Sequence, residues 1–259
     1  MPKIVILLSS NSIIHTAGQP FIELISVDST NNYAMAEIQK GVAEHGMAWF
    51  AYNQTAGKGQ RGRQWHAMPG QNIMLSVALN TSGLLVSEQF FLLCAIALAA
   101  HDIFSKYAGS ETSVKWVNDI YWNDRKAGGI LIENVLRGNN WQWAVAGMGI
   151  NINQTVFGDN AARAVSLKQI TGKTFDVVTL AKELQAYVIT RFNQLVVNKA
   201  GILDEYNNIL YKRNASVRLK KENIIFNATI KEALPDGRLR VEGAGWETFG
   251  FGEVEWVFG

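Results

Sequence analysis

Between Ser87 and Tyr107 lies the segment that most restricts the fold. Phe90, Phe91, Leu93, Cys94, Ile96, Ala97, Ala100, Ile103 and Phe104 recur there at spacings of three and four, the pattern of a buried α-helix. A helix this apolar must be covered on most sides, so the remaining chain has to supply layers around it. The run Phe90–Ala100 is shorter than the roughly 20 residues that cross a bilayer, and Glu88 and His101-Asp102 flank it. A core helix is expected, with no membrane as partner.

Composition supports a well-filled core: 48% of the 259 residues are hydrophobic and 18% charged. A chain of this length buries roughly 70–75% of its unfolded surface and needs no covalent or metal staple. The 24 Lys+Arg nearly balance the 22 Asp+Glu, which leaves no field strong enough to argue for DNA as a partner. One cysteine excludes a disulfide framework and fits a reducing cytoplasm. The four histidines lack metal-ligand spacing, so no structural metal is expected. There is no Gly-x-Ser-x-Gly elbow, and Cys94 sits mid-helix where a thiolate is disfavoured. An enzyme made from this chain would act by positioning and charge stabilisation.

The pattern predicts strands at Phe21–Val27, Met47–Tyr52, Asn72–Asn80, Val114–Trp116, Ile120–Trp122, Lys126–Leu136 and Trp141–Ile150. Turns are predicted at Asn123-Asp124 and Gly138-Asn139-Asn140. A helix following the Asp28-Ser29-Thr30 cap is expected to reach about Gly46, with Tyr33, Met35, Ala36 and Ile38 facing inward. Helices are also expected at Ser166–Ile170, Val177–Val197 and Ile202–Tyr211. Beyond Lys212, five short strands in under 50 residues suggest a small β-barrel. The expectation is an α+β fold: a mixed, largely antiparallel sheet with helices on one side, plus a C-terminal SH3-like β module. Residues 1–20, with a possible strand at Ile4–Leu8, read as a loosely attached N-terminal extension. A catalytic domain spans 21–211 and the small module 212–259.

Four stretches could carry chemistry. Gln54-Thr55-Ala56-Gly57-Lys58-Gly59-Gln60-Arg61-Gly62-Arg63-Gln64-Trp65 mixes three glycines with three cations, which suits an anion held by backbone amides; a solvated surface loop is the plain alternative. Lys115-Trp116-Val117-Asn118-Asp119 interrupts apolar neighbours with polar groups, as a simple turn also would. Lys126 opens an apolar strand followed by Gly128 and Gly129, which leave space beside the amine. Gly147 and Gly149 remove side chains from a second strand. Two glycine-bearing strands make a slot for a flat ligand credible.

These stretches, with Ser29-Thr30-Asn31 ahead of them and Gly147-Met148-Gly149-Ile150-Asn151 last, occur in the order found in biotin protein ligases. The resemblance runs from about Phe21 to the end. It is closest to single-function members without a DNA-binding domain, because little chain precedes the matching region. Two positions depart from the pattern. Gln60 stands where relatives often carry Arg, and Val117 stands in place of a Pro.

The resemblance implies ATP-dependent adenylation of biotin with Mg²⁺, then transfer of biotin to a lysine of a biotin carboxyl carrier domain. It implies a homodimer. Lys126, with Arg61 and Arg63, would offset the repulsion between carboxylate and α-phosphate, roughly 4 kcal/mol for unit charges 4 Å apart at an effective dielectric of 20. Ser29, Thr30, Asn31, Gln54, Gly57, Lys58, Gly59, Trp65, Lys126, Gly128, Gly129, Gly147 and Gly149 would surround biotin. Lys58, Arg61, Arg63, Trp65, Lys115, Asn118, Asp119, Lys126, Ile150 and Asn151 would meet ATP or the adenylate, with Mg²⁺ held mainly by phosphates near Asn118 and Asp119. The competing readings are a lipoate or octanoate ligase or transferase of the same superfamily and a non-catalytic biotin sensor.

Overall fold

The structure, a computed structural model, describes residues 11–15, 19–138, 140–158 and 161–258. Ile4–Leu8 and Asn139 at the centre of the second predicted turn lie outside them. The chain order is β1 (Asn11–His15), β2 (Pro20–Leu24), α1 (Thr30–Gln39), β3 (Ala48–Ala51), β4 (Asn72–Asn80) and α2 (Gln89–Ala108). Next come β5 (Thr112–Lys115), β6 (Asp119–Trp122), β7 (Arg125–Arg137) and β8 (Asn140–Asn151). Three helices follow, α3 (Leu167–Thr171), α4 (Val177–Val197) and α5 (Lys199–Asn208). Then come β9 (Ser216–Lys221), β10 (Ile224–Ala233), β11 (Leu239–Glu242), β12 (Thr248–Phe249) and β13 (Glu255–Trp256).

β1 to β8 form one sheet in the order β1-β2-β3-β4-β8-β7-β6-β5. Only β2 and β3 run parallel; the other pairs are antiparallel. Within the N-terminal extension, residues 11–15 pair with β2 along their whole length, so this part is edge strand rather than loose chain.

Strand alternation sorts the sheet into two faces. Phe21, Phe50, Leu75, Val77, Ala144, Ala146 and Ile150 point to one face and pack against α2, α4 and α5 in the main core. Ile22, Leu24, Trp49, Ala51, Ala78 and Val145 point to the other, where α1 covers them with Ala34, Tyr33, Met35 and Ile38. The expected one-sided arrangement therefore holds for the later helices, while α1 lies across the sheet from them. α1 also ends at Gln39, short of the predicted Gly46, and its fully buried contact is Ala34.

The segment 86–108 is 23 residues of helix, long and apolar enough to cross a membrane by length and composition. That exceeds the length read from Phe90–Ala100 alone. Here Leu92, Cys94, Ala95, Ile96, Ala97, Ala99 and Ala100 have no exposure at all, which is the behaviour of a core helix.

β9 to β13 form a separate antiparallel sheet, β12-β11-β10-β9-β13. It is docked on α5 and on the turn between β5 and β6: Asn207 exchanges two hydrogen bonds with the Ala233 backbone, and Trp116 Nε1 donates to Gly237 O at 3.1 Å.

Candidate active site

α1 covers only part of its face of the sheet. Over β8, β7 and β6 the same face stays open and forms the floor of a cavity of about 530 Å³. Its walls are the start of α1, the basic loop and the tail of the C-terminal module.

The basic loop leaves β3 and returns to β4 through a short 3-10 turn at Gln60–Gly62, with Arg61 at φ +56° and Gly62 at φ +74°. A left-handed conformation is uncommon for a residue with a Cβ, and here it sends the Arg61 guanidinium to Gly252 O at 3.4 Å. A Cβ on Gly252 would make the guanidinium shift, and Gly252 itself sits at φ +82°, which a residue with a Cβ rarely adopts. Gly59 N donates to Arg63 O, and Trp65 N to Gly57 O. These bonds bring Lys58, Gly59, Gln60, Arg61, Arg63, Gln64 and Trp65 to the cavity.

Lys126 reaches the floor from the bulged start of β7. Its backbone is held from the far side, with Lys126 N donating to Arg163 O at 2.7 Å and Lys126 O accepting from Val165 N at 2.9 Å. Its ammonium pairs with Asp119 Oδ1 at 2.6 Å. A Cβ on Gly129 would rest about 3.5 Å from both groups, so any longer side chain would cover the pair. Asn118 braces the turn before β6 by donating to Ile130 O at 2.6 Å; the Trp116–Val117 peptide in that turn is cis.

Lys115 stands beside this pair, largely enclosed. Its Nζ lies 5.1 Å from the Tyr121 ring centre, 5.4 Å from Trp256 and 5.0 Å from Phe258. Burial pushes its pKa down to about 8; Asp119 pulls the other way, while Lys126, Arg63 and Arg163 add to the depression.

Near α1 the wall is polar. Thr30 N donates to Gln54 Oε1 at 2.7 Å. Ser29, Thr30 and Asn31 are all buried and all line the cavity. Lys58 meets Glu133 at 3.3 Å.

The structure thus gathers Ser29, Thr30, Asn31, Gln54, Lys58, Gly59, Arg61, Arg63, Trp65, Lys115, Asn118, Asp119, Lys126, Gly129, Gly147 and Gly149 around one space. Four expected residues stand apart from its lining. Gly57 is buried against the Trp65 backbone, where a Cβ would overlap Trp65 O. Gly128 faces the opposite side from Gly129, and a Cβ there would come 2.9 Å from Gly149 O; alternation lets one of two adjacent strand residues face the cavity. Ile150 belongs to the core. Asn151 is 4% exposed and donates to Lys126 O at 3.5 Å and Val165 O at 3.1 Å, so it steadies the strand under Lys126 rather than reaching into the cavity.

Gly147 and Gly149 also differ from the expected empty slot. A Cβ on Gly147 would overlap the Asn31 amide, and one on Gly149 would overlap the Trp65 indole. Their function is close approach: they let two side chains lie flat on β8.

Sequence reasoning misses Tyr121, Phe251, Trp256 and Phe258, which also line the cavity. Nothing local marks the last three, because they come from the distant C-terminal module. Ser76, fully buried beneath the wall and in contact with Thr30 and Asn31, is missed as well, although its place as the one polar residue in the apolar run Ile73–Leu79 is a visible signal.

A carboxylate cluster for a metal is not present: among the described residues no group of three or more His, Cys, Asp or Glu side chains could hold an ion. Asp119 and Glu255 are the carboxylates lining the cavity, and Asp119 is engaged by Lys126. The donor set fits a cation carried in by an anionic ligand better than a resident metal.

Comparison with known proteins gives the same outline. The bifunctional ligase/repressor BirA of Bacillus subtilis is 34% identical over 163 residues, 61% of this chain and 49% of its own length. The Escherichia coli protein of that name is 33% identical over 154 residues, 59% of this chain and 47% of its own. A biotin--[acetyl-CoA-carboxylase] ligase from Paracoccus denitrificans is 35% identical over 133 residues, 50% of this chain and 53% of its own. The chain thus matches about half the length of these relatives. Among solved structures, a biotin protein ligase from Aquifex aeolicus in complex with biotin and ATP superposes with a TM-score of 0.76 at 22% identity, covering 91% of this chain and 97% of that one; at that identity the likeness is one of fold. Strands β3 to β8, the α1 start, the basic loop and both glycine-bearing strands fall within residues 23–151, and those residues match the Biotin/lipoate A/B protein ligase family.

Proposed function

We propose that this chain is a biotin protein ligase that joins biotin to AMP with consumption of ATP and then passes biotin to a lysine of a biotin carboxyl carrier domain. The observation that carries the reading is the Lys126–Asp119 pair at 2.6 Å, set over Gly129 on the floor of a cavity rimmed by Lys58, Arg61 and Arg63.

Adenylation brings a carboxylate onto a phosphate, and cations must offset that meeting of anions and stabilise the charge developing in the transition state. Lys126 takes this part, with Asp119 aiming its ammonium. Arg63 is better placed than Arg61 to answer for the Gln60 departure, because Arg61 is committed to Gly252 O at 3.4 Å. Lys115 and Asn118 complete the nucleotide side, where Mg²⁺ entering with the phosphates would supply Lewis-acid charge. Thr30 and Gln54 face the other substrate.

The second step needs no nucleophile from this chain, since the attacking amine belongs to the carrier. This agrees with Cys94, whose thiol burial holds well above its usual pKa. The loop 53–65 would then shield the hydrolysable adenylate from water. A carrier domain as acceptor, a homodimer, a cytoplasmic setting, and a division into a catalytic domain (21–211) and a small C-terminal domain (212–259) complete the proposal.

The test is biotin-dependent exchange of pyrophosphate into ATP, repeated with lipoate. Exchange with biotin and none with lipoate is the expected result; the reverse would assign the chain to lipoate. The polar Thr30–Gln54 wall favours biotin, whose ring presents both N–H and C=O, over a ring that presents neither.

A further inference from the structure

The polar groups under the cavity wall can be ordered proton by proton. Asn31 Nδ2 donates to Glu133 Oε2 at 2.8 Å and to Leu131 O at 3.3 Å, which fixes the amide and leaves Oδ1 as an acceptor. Ser76 Oγ, with no exposure, lies 2.6 Å from that Oδ1 and 2.7 Å from Thr30 Oγ1. Ser76 has one hydroxyl proton, and only it can serve the Asn31 oxygen. The Ser76–Thr30 contact therefore requires Thr30 to donate. Its proton is then unavailable to Gln54 Oε1, 3.1 Å away, which the Thr30 backbone N–H already serves at 2.7 Å.

We propose that Ser76, Asn31 and Glu133 form a directional hydrogen-bond relay that makes Thr30 an obligatory acceptor toward the cavity, so that the bound ring must present an N–H to it. Every donor points away from the ligand and toward the Glu133 carboxylate, which Lys58 meets at 3.3 Å. Polarisation along such a chain raises electron density on Thr30 Oγ1. Gln54 Nε2 has no hydrogen-bond partner among the described residues and supplies a donor beside this acceptor. An acceptor next to a donor is the complement of one N–H and the C=O of a cyclic urea. Ser76 and Glu133 are thus positioning residues for the polarity of recognition. This inference rests on biotin as the substrate.

Calorimetric titration of the full chain tests it, using biotin and its two cyclic-carbamate isosteres, in each of which one ring N–H is replaced by O. The wild type is expected to reject one isostere by about 100-fold relative to biotin, because a buried acceptor would face an oxygen. In Ser76→Ala the Thr30 hydroxyl can turn its proton to the ligand. Biotin should bind about tenfold more weakly and the preference over that isostere should fall below about tenfold.

Glu133→Ala, at the partly exposed end, frees the Asn31 amide from the carboxylate. It should narrow the same ratio about threefold and keeps the test open should Ser76→Ala fail to fold. Weaker biotin binding with an unchanged ratio in the folded variants would overturn the relay and leave these residues as packing. Equal binding of both isosteres and biotin by the wild type would overturn it as well. A wild type that binds no biotin at all would bring down the substrate assignment, and the relay with it, a result distinguishable from either of the others.

Discussion

The two faces of the large sheet are built from the same strands and obey different rules. Under α2 and α4 the inward residues Phe50, Leu75, Val77, Ala146 and Ile150 are closed to solvent, and their identity answers to volume and apolarity. One residue along, Ser76, Gly147 and Gly149 face α1 and the cavity, and each answers to particular neighbours: Asn31 and Thr30 for Ser76, Asn31 for Gly147, Trp65 for Gly149. A strand exposes this contrast because its side chains alternate with a period of two. The covered face sets stability, and the open face sets chemistry.

Four substitutions or conditions would break or sharpen that contrast, in falling order of effect. Leu92→Ala on the covered side should cost about 2–5 kcal/mol of stability, the range for emptying a buried leucine site, with exchange activity per folded molecule retained. Denaturant unfolding alongside active-site titration checks it, and a proportionate loss of both would erase the division between faces. Lys126→Ala on the open side should do the opposite: adenylate formation falls at least 100-fold, about 2.7 kcal/mol, while the unfolding midpoint barely moves. Unchanged exchange would remove Lys126 from the mechanism.

Lys115 gives the next effect. With a free-state pKa near 8, it is protonated below that pH and neutral above it. An anionic ligand favours the charged form, so its bound pKa is higher, and ATP affinity should fall as pH rises through about 8. Roughly eightfold weaker binding is expected between pH 7.5 and 9, as the charged fraction of the free protein falls from about three quarters to about one tenth. Lys115→Met should flatten that profile. Its contribution to stability rises as pH increases from about 8 toward the pKa of an unfolded lysine, since folding then no longer buries a charge. Smallest is Arg61→Ala, which removes the 3.4 Å contact with Gly252 O. It should speed protease cleavage within residues 53–65 about two- to threefold, and biotin plus ATP should still protect the loop; protection already absent in the wild type would argue against closure.

Much of the covered face is legible in the sequence. Asn72–Asn80 and Val177–Val197 fall where the pattern puts them, because a wide apolar stripe belongs to a buried helix and a short apolar run to a strand covered on both faces. The open face is legible as residue types but not as contacts. The sequence shows that Gly128 and Gly129 lack side chains, yet only the bulge between Ile120 and Tyr121 in the β6–β7 pairing and the register with β8 determine which of the two meets the cavity. Asn151 reads as a ligand contact and is a strand brace. The end of α1 at Gln39 escapes the pattern because the apolar residues beyond it, Val42 among them, prolong a helical periodicity without being buried.

By itself the sequence determined the order of elements, the core helix and the set of polar and glycine residues from which a site could be made, because these follow from local periodicity and from what each side chain can donate, accept or leave empty. Tertiary structure alone decided that Trp256 and Phe258 enclose Lys115 from more than a hundred residues away, and that a serine inside a hydrophobic strand sets which way Thr30 points its proton. Those outcomes depend on which surfaces end up facing one another, and no local pattern carries that information.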